Sequence, residues 1–567
     1  MSFLTFPRRT RRPLLTLAAA ALLPGGLALA APVAVPEHVP SDVRAVISVS
    51  DATTMFGAIS SAPFYAPIEA IFQMPMMKDD PDYQSFQAGV ATASTELGYS
   101  LSPREFMGGV LKGFDLYVTR AEAETDASAV LVARFADAEK AASTAAFLVG
   151  KIASEAGAEP ADAMFAGQPG KTAGMAHIVA VNDLLLLGSS AAVVESAITS
   201  PGGSNMPAGD GFAGALAKVG ADAGQMFGYM ENAELSQLQR YMPPEAAASF
   251  SGTADGYTMI SGAFSASEMS LSSHAWGMEV PASMASLLET PPLPASTLAS
   301  FAPAGSVMSV STNIADAATL WKSTMEMAQS NPDMALPALM MQGYDTNLGA
   351  MTGLDFEKDM LAAFGPHVVF SITQLAVAPP MIKADLVVAL KIADSEKAAK
   401  VVELAEAKLL ELAKQNAPDP AAVAVQAEAY ARTEVRLIPM ANNPVFEGVA
   451  HAVTADGYWV VGLSRASVKA ALEQVANPST ALASNPKVAR ALAGADANHV
   501  VTTLDLSALS ATAQMASGLV LGMSGAGPDE VALATQVIQA VNGLGYMVAT
   551  NSYGADGNSG KLTFVME

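Results

Sequence analysis

The sequence predicts an α+β fold of two tandem related domains, with mainly antiparallel sheets covered by amphipathic helices. Three observations carry this reading. Apolar strand-like runs come in pairs joined by turn residues, helix-period apolar stripes lie between them, and five short motifs occur twice in the same order. Sequential strand pairs with interspersed helices bury one sheet face under the helices, which is the α+β arrangement.

Composition narrows the function classes. The 567 residues include 30 Lys+Arg against 54 Asp+Glu and no cysteine, for a formal charge of −24. Hydrophobic residues make up 51% and charged residues 15%, so the chain can bury a core and does not read as disordered. At roughly 100–200 residues per domain the length suits two large domains or several smaller ones. The acidic excess argues against a nucleic-acid partner, whose affinity comes from Lys and Arg displacing condensed counterions. The lack of cysteine removes disulfides, thiolate nucleophiles, zinc–thiolate sites and lipid-modified cysteine anchors together.

Residues 1–30 read as a signal peptide. Arg8, Arg9, Arg11 and Arg12 form a basic start, Leu14 to Leu23 an apolar stretch, and Ala28-Leu29-Ala30 a cleavage site after Pro24-Gly25-Gly26. The apolar stretch falls short of the roughly 20 residues a membrane helix needs. The expectation is therefore a periplasmic or secreted protein of a Gram-negative bacterium, not integral to the membrane after cleavage. Whether export uses the general or the twin-arginine route is open.

The duplicated motifs give the elements in order. Val46-Ile47-Ser48-Val49-Ser50 returns as Val307-Met308-Ser309-Val310-Ser311, an opening strand in each half. The strand-like runs Ala129–Phe135 and Ala384–Ile392 each lead into an Ala-Asp-x-Glu-Lys-Ala-Ala segment, in which Asp137 and Asp394 are placed to cap a helix. In the second helix Ala398, Val402, Ala405, Leu409 and Leu412 form one apolar stripe, with Glu403, Glu406 and Lys408 expected on the solvated side. On that phasing Leu409→Ala should cost about 2–5 kcal/mol and Glu406→Ala under about 0.5. The first helix repeats the stripe with Ala141, Ala145, Leu148 and Ile152.

Next come hairpins over 177–188 and 451–462, turning at Asn182-Asp183 and at Asp456-Gly457. Each ends in Gly-x-Ser-x-Ala, at Gly188 and at Gly462, with the same distance from His177 and from His451. Gly256-Tyr257 and Gly545-Tyr546 open the closing strands. The halves are 31–280 and 303–567, and the prolines of 281–302 suit an extended linker.

No catalytic, cofactor-binding or metal-binding residue stands out. Gly-x-Ser-x-Ala superficially resembles a hydrolase nucleophile elbow, but it lacks the final glycine, and Ser190 and Ser464 read more simply as helix caps. His177 and His451 have no second metal ligand at strand spacing and read as structural. Gly170-Lys171-Thr172 resembles the end of a phosphate loop without its first glycine, and reads as a turn. The 30 methionines cluster early in each half. Thioethers suit cuprous ion or adaptable apolar surfaces, and packing or a groove is the better reading. Met74, Met76, Met77, Met340 and Met341 are the candidate ligand-binding residues.

Taken together, the Val-x-Ser-Val-Ser strand, the Ala-Asp-x-Glu-Lys-Ala-Ala helix start and the Gly-x-Ser-x-Ala after a hairpin resemble those of a loosely defined group. Its members are exported, duplicated bacterial proteins carrying domains of unknown function. The resemblance implies an envelope location and no established activity. The leading expectation is a non-enzymatic periplasmic protein that binds an apolar small molecule, lipid, peptide or envelope partner. A serine hydrolase using Ser464 or Ser190, and a structural envelope scaffold, are the alternatives.

Overall fold

The computed structural model describes residues 38–39, 43–119, 128–199, 225–231, 256–276, 290–313, 315, 318–319, 321–322, 354–378, 381–440, 447–477, 479, 481–493, 497–524, 527–554 and 557–566. Both helices and a large amount of antiparallel sheet are present, as α+β requires. The chain divides into two compact units. Residues 1–279, 527–543 and 561–567 form the first, and 280–526 with 544–560 the second. Among the described residues no helix is long and apolar enough to cross a membrane.

The first unit carries β1 (Val43–Val49), β2 (Leu111–Thr119), β3 (Ser128–Phe135), β4 (Ala161–Phe165), β5 (Gln168–Ala173), β6 (Ala176–Val181), β7 (Leu184–Gly188), β8 (Met226–Glu231), β9 (Tyr257–Phe264) and β10 (Glu268–Trp276). Their antiparallel pairings give the order β4-β5-β6-β7-β3-β2-β1-β8-β9-β10. Successive strand residues point to opposite faces, and here both faces are buried. Leu185, Ile178 and Phe135 pack with Ala141, Ala145 and Val149 of helix Ala138–Ala156. Leu184, Leu186 and Val179 pack on the other side with Val193, Val194 and Ala197 of helix Ala191–Thr199. Helices thus cover both faces of this part of the sheet, where one was expected. The uninterrupted Leu184–Leu187 run is the sequence trace of that double burial. Helix Pro528–Gly543, from late in the chain, packs along helix Tyr65–Phe72 in this unit.

The second unit carries β11 (Met308–Asn313), β12 (Phe364–Ala378), β13 (Met381–Ile392), β14 (Gln426–Tyr430), β15 (Thr433–Pro439), β16 (Gly448–Val453), β17 (Tyr458–Gly462), β18 (Val500–Asp505) and β19 (Tyr546–Gly554), and β20 (Gly557–Val565) follows them. The order is β14-β15-β16-β17-β13-β12-β11-β18-β19. Strand for strand, this matches the first nine of unit 1. Asp137 and Asp394 cap their helices by accepting first-turn amides, as their positions predict.

Three expectations need correction. Gly170-Lys171-Thr172 lies inside β5, not in a turn, with Lys171 ion-paired to Asp162 on β4. The stripe of helix Ser395–Asn416 is rotated: Ala398, Val401 and Ala413 are its buried residues, Leu409 is half-buried, and Leu412 is 49% exposed. The Pro-containing stretch, described from Thr290 on, is extended only as far as Pro294: Pro291, Pro292 and Pro294 are exposed, and Leu293 bridges Asn498. Pro294 starts a short helix, Ala295–Leu298, and Leu298, Ala299 and Ala302 are buried.

The two glycines of Gly-x-Ser-x-Ala have a steric cause. A Cβ on Gly188 would sit 2.4 Å from Val194 Cγ2, and one on Gly462 2.5 Å from Ser467 Oγ and 3.0 Å from the Leu386 carbonyl oxygen. Each strand ends where the next helix folds back onto it, and only glycine leaves the room. Gly462→Ala should therefore lower stability by about 1–3 kcal/mol through overpacking. Gly518→Ala, on an exposed part of helix Leu506–Ser524 with nothing within 4 Å, should raise it by about 0.5–1 kcal/mol. Urea unfolding of both variants measures the contrast.

Candidate functional site

In unit 2 a cavity of about 470 Å³ lies between helix Ser395–Asn416 and strands β15 and β16. The helix contributes Ser395, Ala399, Val402, Glu403 and Glu406, whose three- and four-residue spacing puts them along one side. From the strands come Glu434, Arg436, His451 and Val453. Arg436 and His451 are directly opposite across the β15–β16 ladder, so their side chains leave the sheet on the same face. Glu434 and Val453 share that face by the period of two.

Glu406 reaches down to both. Arg436 donates from Nε to Glu406 Oε2 at 2.6 Å and from Nη2 to Oε1 at 2.8 Å, while its Nη1 donates to Glu434 Oε1 at 2.8 Å. His451 Nε2 lies 3.0 Å from Glu406 Oε2. Arg436 holds the Glu406 carboxyl below the usual carboxylate range, against its partial burial. An ionised carboxylate only accepts, so the Nε2 of His451 carries the proton. Burial pushes the imidazole below its ordinary value while Glu406 pulls it up, and neutral His451 keeps a bare Nδ1. That atom is buried without a hydrogen-bond partner. The site therefore offers an apolar wall, three carboxylates and one guanidinium already shared by two of them.

Glu406 overturns the expectation of a solvated face: its side chain is 20% exposed and sits at the centre of this array. The apolar stripe has the wrong phase by part of a turn, which turns Glu406 toward the sheet. His177 occupies the corresponding strand position in unit 1, yet its surroundings differ. It faces Thr172 across the ladder and meets the Phe165 ring edge-on at 5.8 Å. The residue as far from the helix cap there as Glu406 is from Asp394 is Val149, which is buried. The turns differ too. His177 pairs with Gly188 through a two-residue turn with Asn182 at φ 54°, whereas His451 pairs with Val461 through a longer turn closed by Gly457 at φ 74°. Equal sequence spacing thus conceals a one-residue difference in register.

The serines are caps. Ser464 Oγ accepts the Ser467 amide at 3.0 Å and donates to Asp385 Oδ2 at 2.6 Å, and none of its hydrogen-bond partners is a histidine. Ser190 Oγ accepts the Val193 amide at 3.3 Å. A different serine–histidine contact occurs in unit 2, where Ser311 Oγ lies 3.1 Å from His367 Nε2 and Tyr458 hydroxyl 2.7 Å from Nδ1. Ser311 and His367 are both buried, so the pair is closed to a substrate. Met76 and Met77 lie on the short helix Pro75–Lys78, and Met74 precedes it; Met74 is buried and Met76 42% exposed. Met340 and Met341 lie outside the described residues. Among the described residues no group of three or more His, Asp or Glu could hold a metal ion.

Residues 339–520 match the family model described as "Protein of unknown function (DUF3352)", which agrees with the unknown-function group that the motifs resemble. The matched segment contains the whole Glu406–Arg436–His451 array. No curated protein and no solved structure is significantly similar to the chain.

Two measurements follow from the buried polar groups. Glu406→Ala should cost about 1–3 kcal/mol, since it strips partly buried charged hydrogen bonds from Arg436 and His451; a loss below about 0.5 kcal/mol in urea unfolding restores the solvated-face reading. Burial also pushes His367 down to about 4, from about 6.5 when unfolded. The unfolded chain then binds the extra proton, so stability is full above about pH 6.5 and falls by about 3 kcal/mol toward pH 4. Histidine ring titration by NMR should show His367 still neutral at about pH 5.

Proposed function

We propose that this protein is exported to the periplasm and acts there without catalysis, holding a small amphipathic molecule in the cavity of unit 2. The single observation behind this is the cavity itself. Its volume of about 470 Å³ falls within the roughly 300–1,000 Å³ typical of small-molecule sites. Ile392, Ala398, Ala399 and Val402 supply an apolar wall, and Glu406, Arg436 and His451 supply a few convergent polar groups. With Glu403, Glu406 and Glu434 against a single Arg436, the polar end suits a ligand bearing a cation or hydrogen-bond donors.

Export rests on the N-terminal pattern through Ala30, and the view of the halves as copies on five repeated motifs together with matching strand orders. On that view unit 1 keeps the scaffold but has Val149 and Thr172 where the site needs Glu406 and Arg436, so binding is a property of the second copy. The hydrolase alternative loses support because the Ser464 hydroxyl is used by the helix start and by Asp385.

Protein purified from the periplasmic fraction should begin at Ala31 by intact mass. Denatured in organic solvent, it should release one reproducible compound by mass spectrometry. Ala399→Trp, which fills the cavity from the helix side, should release none. A clean extract from the wild-type protein, or the same compound from Ala399→Trp, overturns the proposal.

A further inference from the structure

A second site lies in unit 1. Helices Tyr65–Phe72 and Pro81–Leu97 are joined through the short helix Pro75–Lys78, and Asp80 caps the longer helix with Pro81 at its first position. This connection leaves a cleft of about 450 Å³ lined by Gln73, Lys78, Tyr83, Gln84 and Gln87. Tyr83 is the middle member of three nearly parallel rings. Phe72 and Phe86 lie 6.3 Å away on either contact, tilted by 19° and 23°, and they are 45% and 36% exposed. Gln84 Nε2 donates to the Lys78 carbonyl and Gln87 Nε2 to the Tyr83 hydroxyl. Among the described residues the side chains of Gln73 and Lys78 have no hydrogen-bond or ion-pair partner.

We infer that this cleft binds a neutral carbohydrate chain. A pyranose ring has an apolar C–H face that stacks on an aromatic ring and hydroxyls that both donate to and accept from amides. The cleft supplies both kinds of partner: the Tyr83 ring, held between Phe72 and Phe86, and three carboxamides and an ammonium, of which Gln73 and Lys78 are uncommitted. A lipid tail would bury those amides without hydrogen bonds, which is costly. A nucleic acid or polyphosphate would meet Asp79, Asp80 and Asp82 directly after Lys78, a local excess of negative charge. The site shares no residue with the cavity of unit 2 and stands or falls separately from it.

Isothermal titration of the mature protein, residues 31–567, against cellohexaose, maltohexaose and hexa-N-acetylchitohexaose tests this. At least one should bind, and Tyr83→Ala and Gln73→Ala should each weaken it by about tenfold or more. Tyr83→Phe, which keeps the ring row, should stay within about threefold of wild type. Circular dichroism of each variant checks that the helices persist, and Gln73 is an exposed position whose loss should not unfold them. Binding of none of the three sugars at about 10 mM, or wild-type affinity in folded Tyr83→Ala and Gln73→Ala, overturns the inference.

Discussion

Strands that are apolar on both faces must be covered on both, and this requirement shapes each element around them. In unit 1 it sets helix Ala138–Ala156 against one side of β3, β6 and β7 and helix Ala191–Thr199 against the other. The second helix can reach its place only by folding back at the end of β7, where Gly188 removes the Cβ that would strike Val194. The same geometry recurs at Gly462, with Ser464 accepting the Ser467 amide. What superficially resembles a nucleophile elbow in the sequence is the corner at which a strand passes into the helix covering it.

Polar chemistry enters where this rule is relaxed. Helix Ser395–Asn416 lies over β15 and β16, but instead of an apolar residue it sets Glu406 above a cross-strand Arg436–His451 pair. Carboxylate and guanidinium compensate one another, so neither is left charged and unpaired at a half-buried position. His451, kept neutral by burial, hydrogen-bonds the carboxylate through Nε2 and leaves Nδ1 buried without a partner. In unit 1, whose strand order matches, Thr172 faces His177 and Val149 is buried, so helix and sheet pack there without such a polar array.

Much of the scaffold was legible in the sequence. Both capping aspartates, both hairpins, the opening strands and the strands leading into the long helices are where their patterns place them. The site was not legible, for definite reasons. Glu406 lies at the border of an apolar stripe, where a small error in helix phase exchanges sheet side for solvent side. Arg436 and His451 become neighbours only through the register of β15 on β16, and that depends on turn and loop lengths that local patterns do not specify. Even the identical spacing from His to Gly in the two hairpins hides different turns. The methionines were conspicuous by number, yet composition says nothing of placement: Met74 is core while Met76 is surface.

Crystals of the mature protein as isolated from cells, never exposed to denaturant, give the most direct view of the cavity between Val402 and His451. Non-protein density there, with a cationic or hydrogen-bond-donating end against the Glu403 or Glu434 carboxylate, is what this account predicts. Ordered water alone in that space, with a copurified compound seated elsewhere, contradicts it.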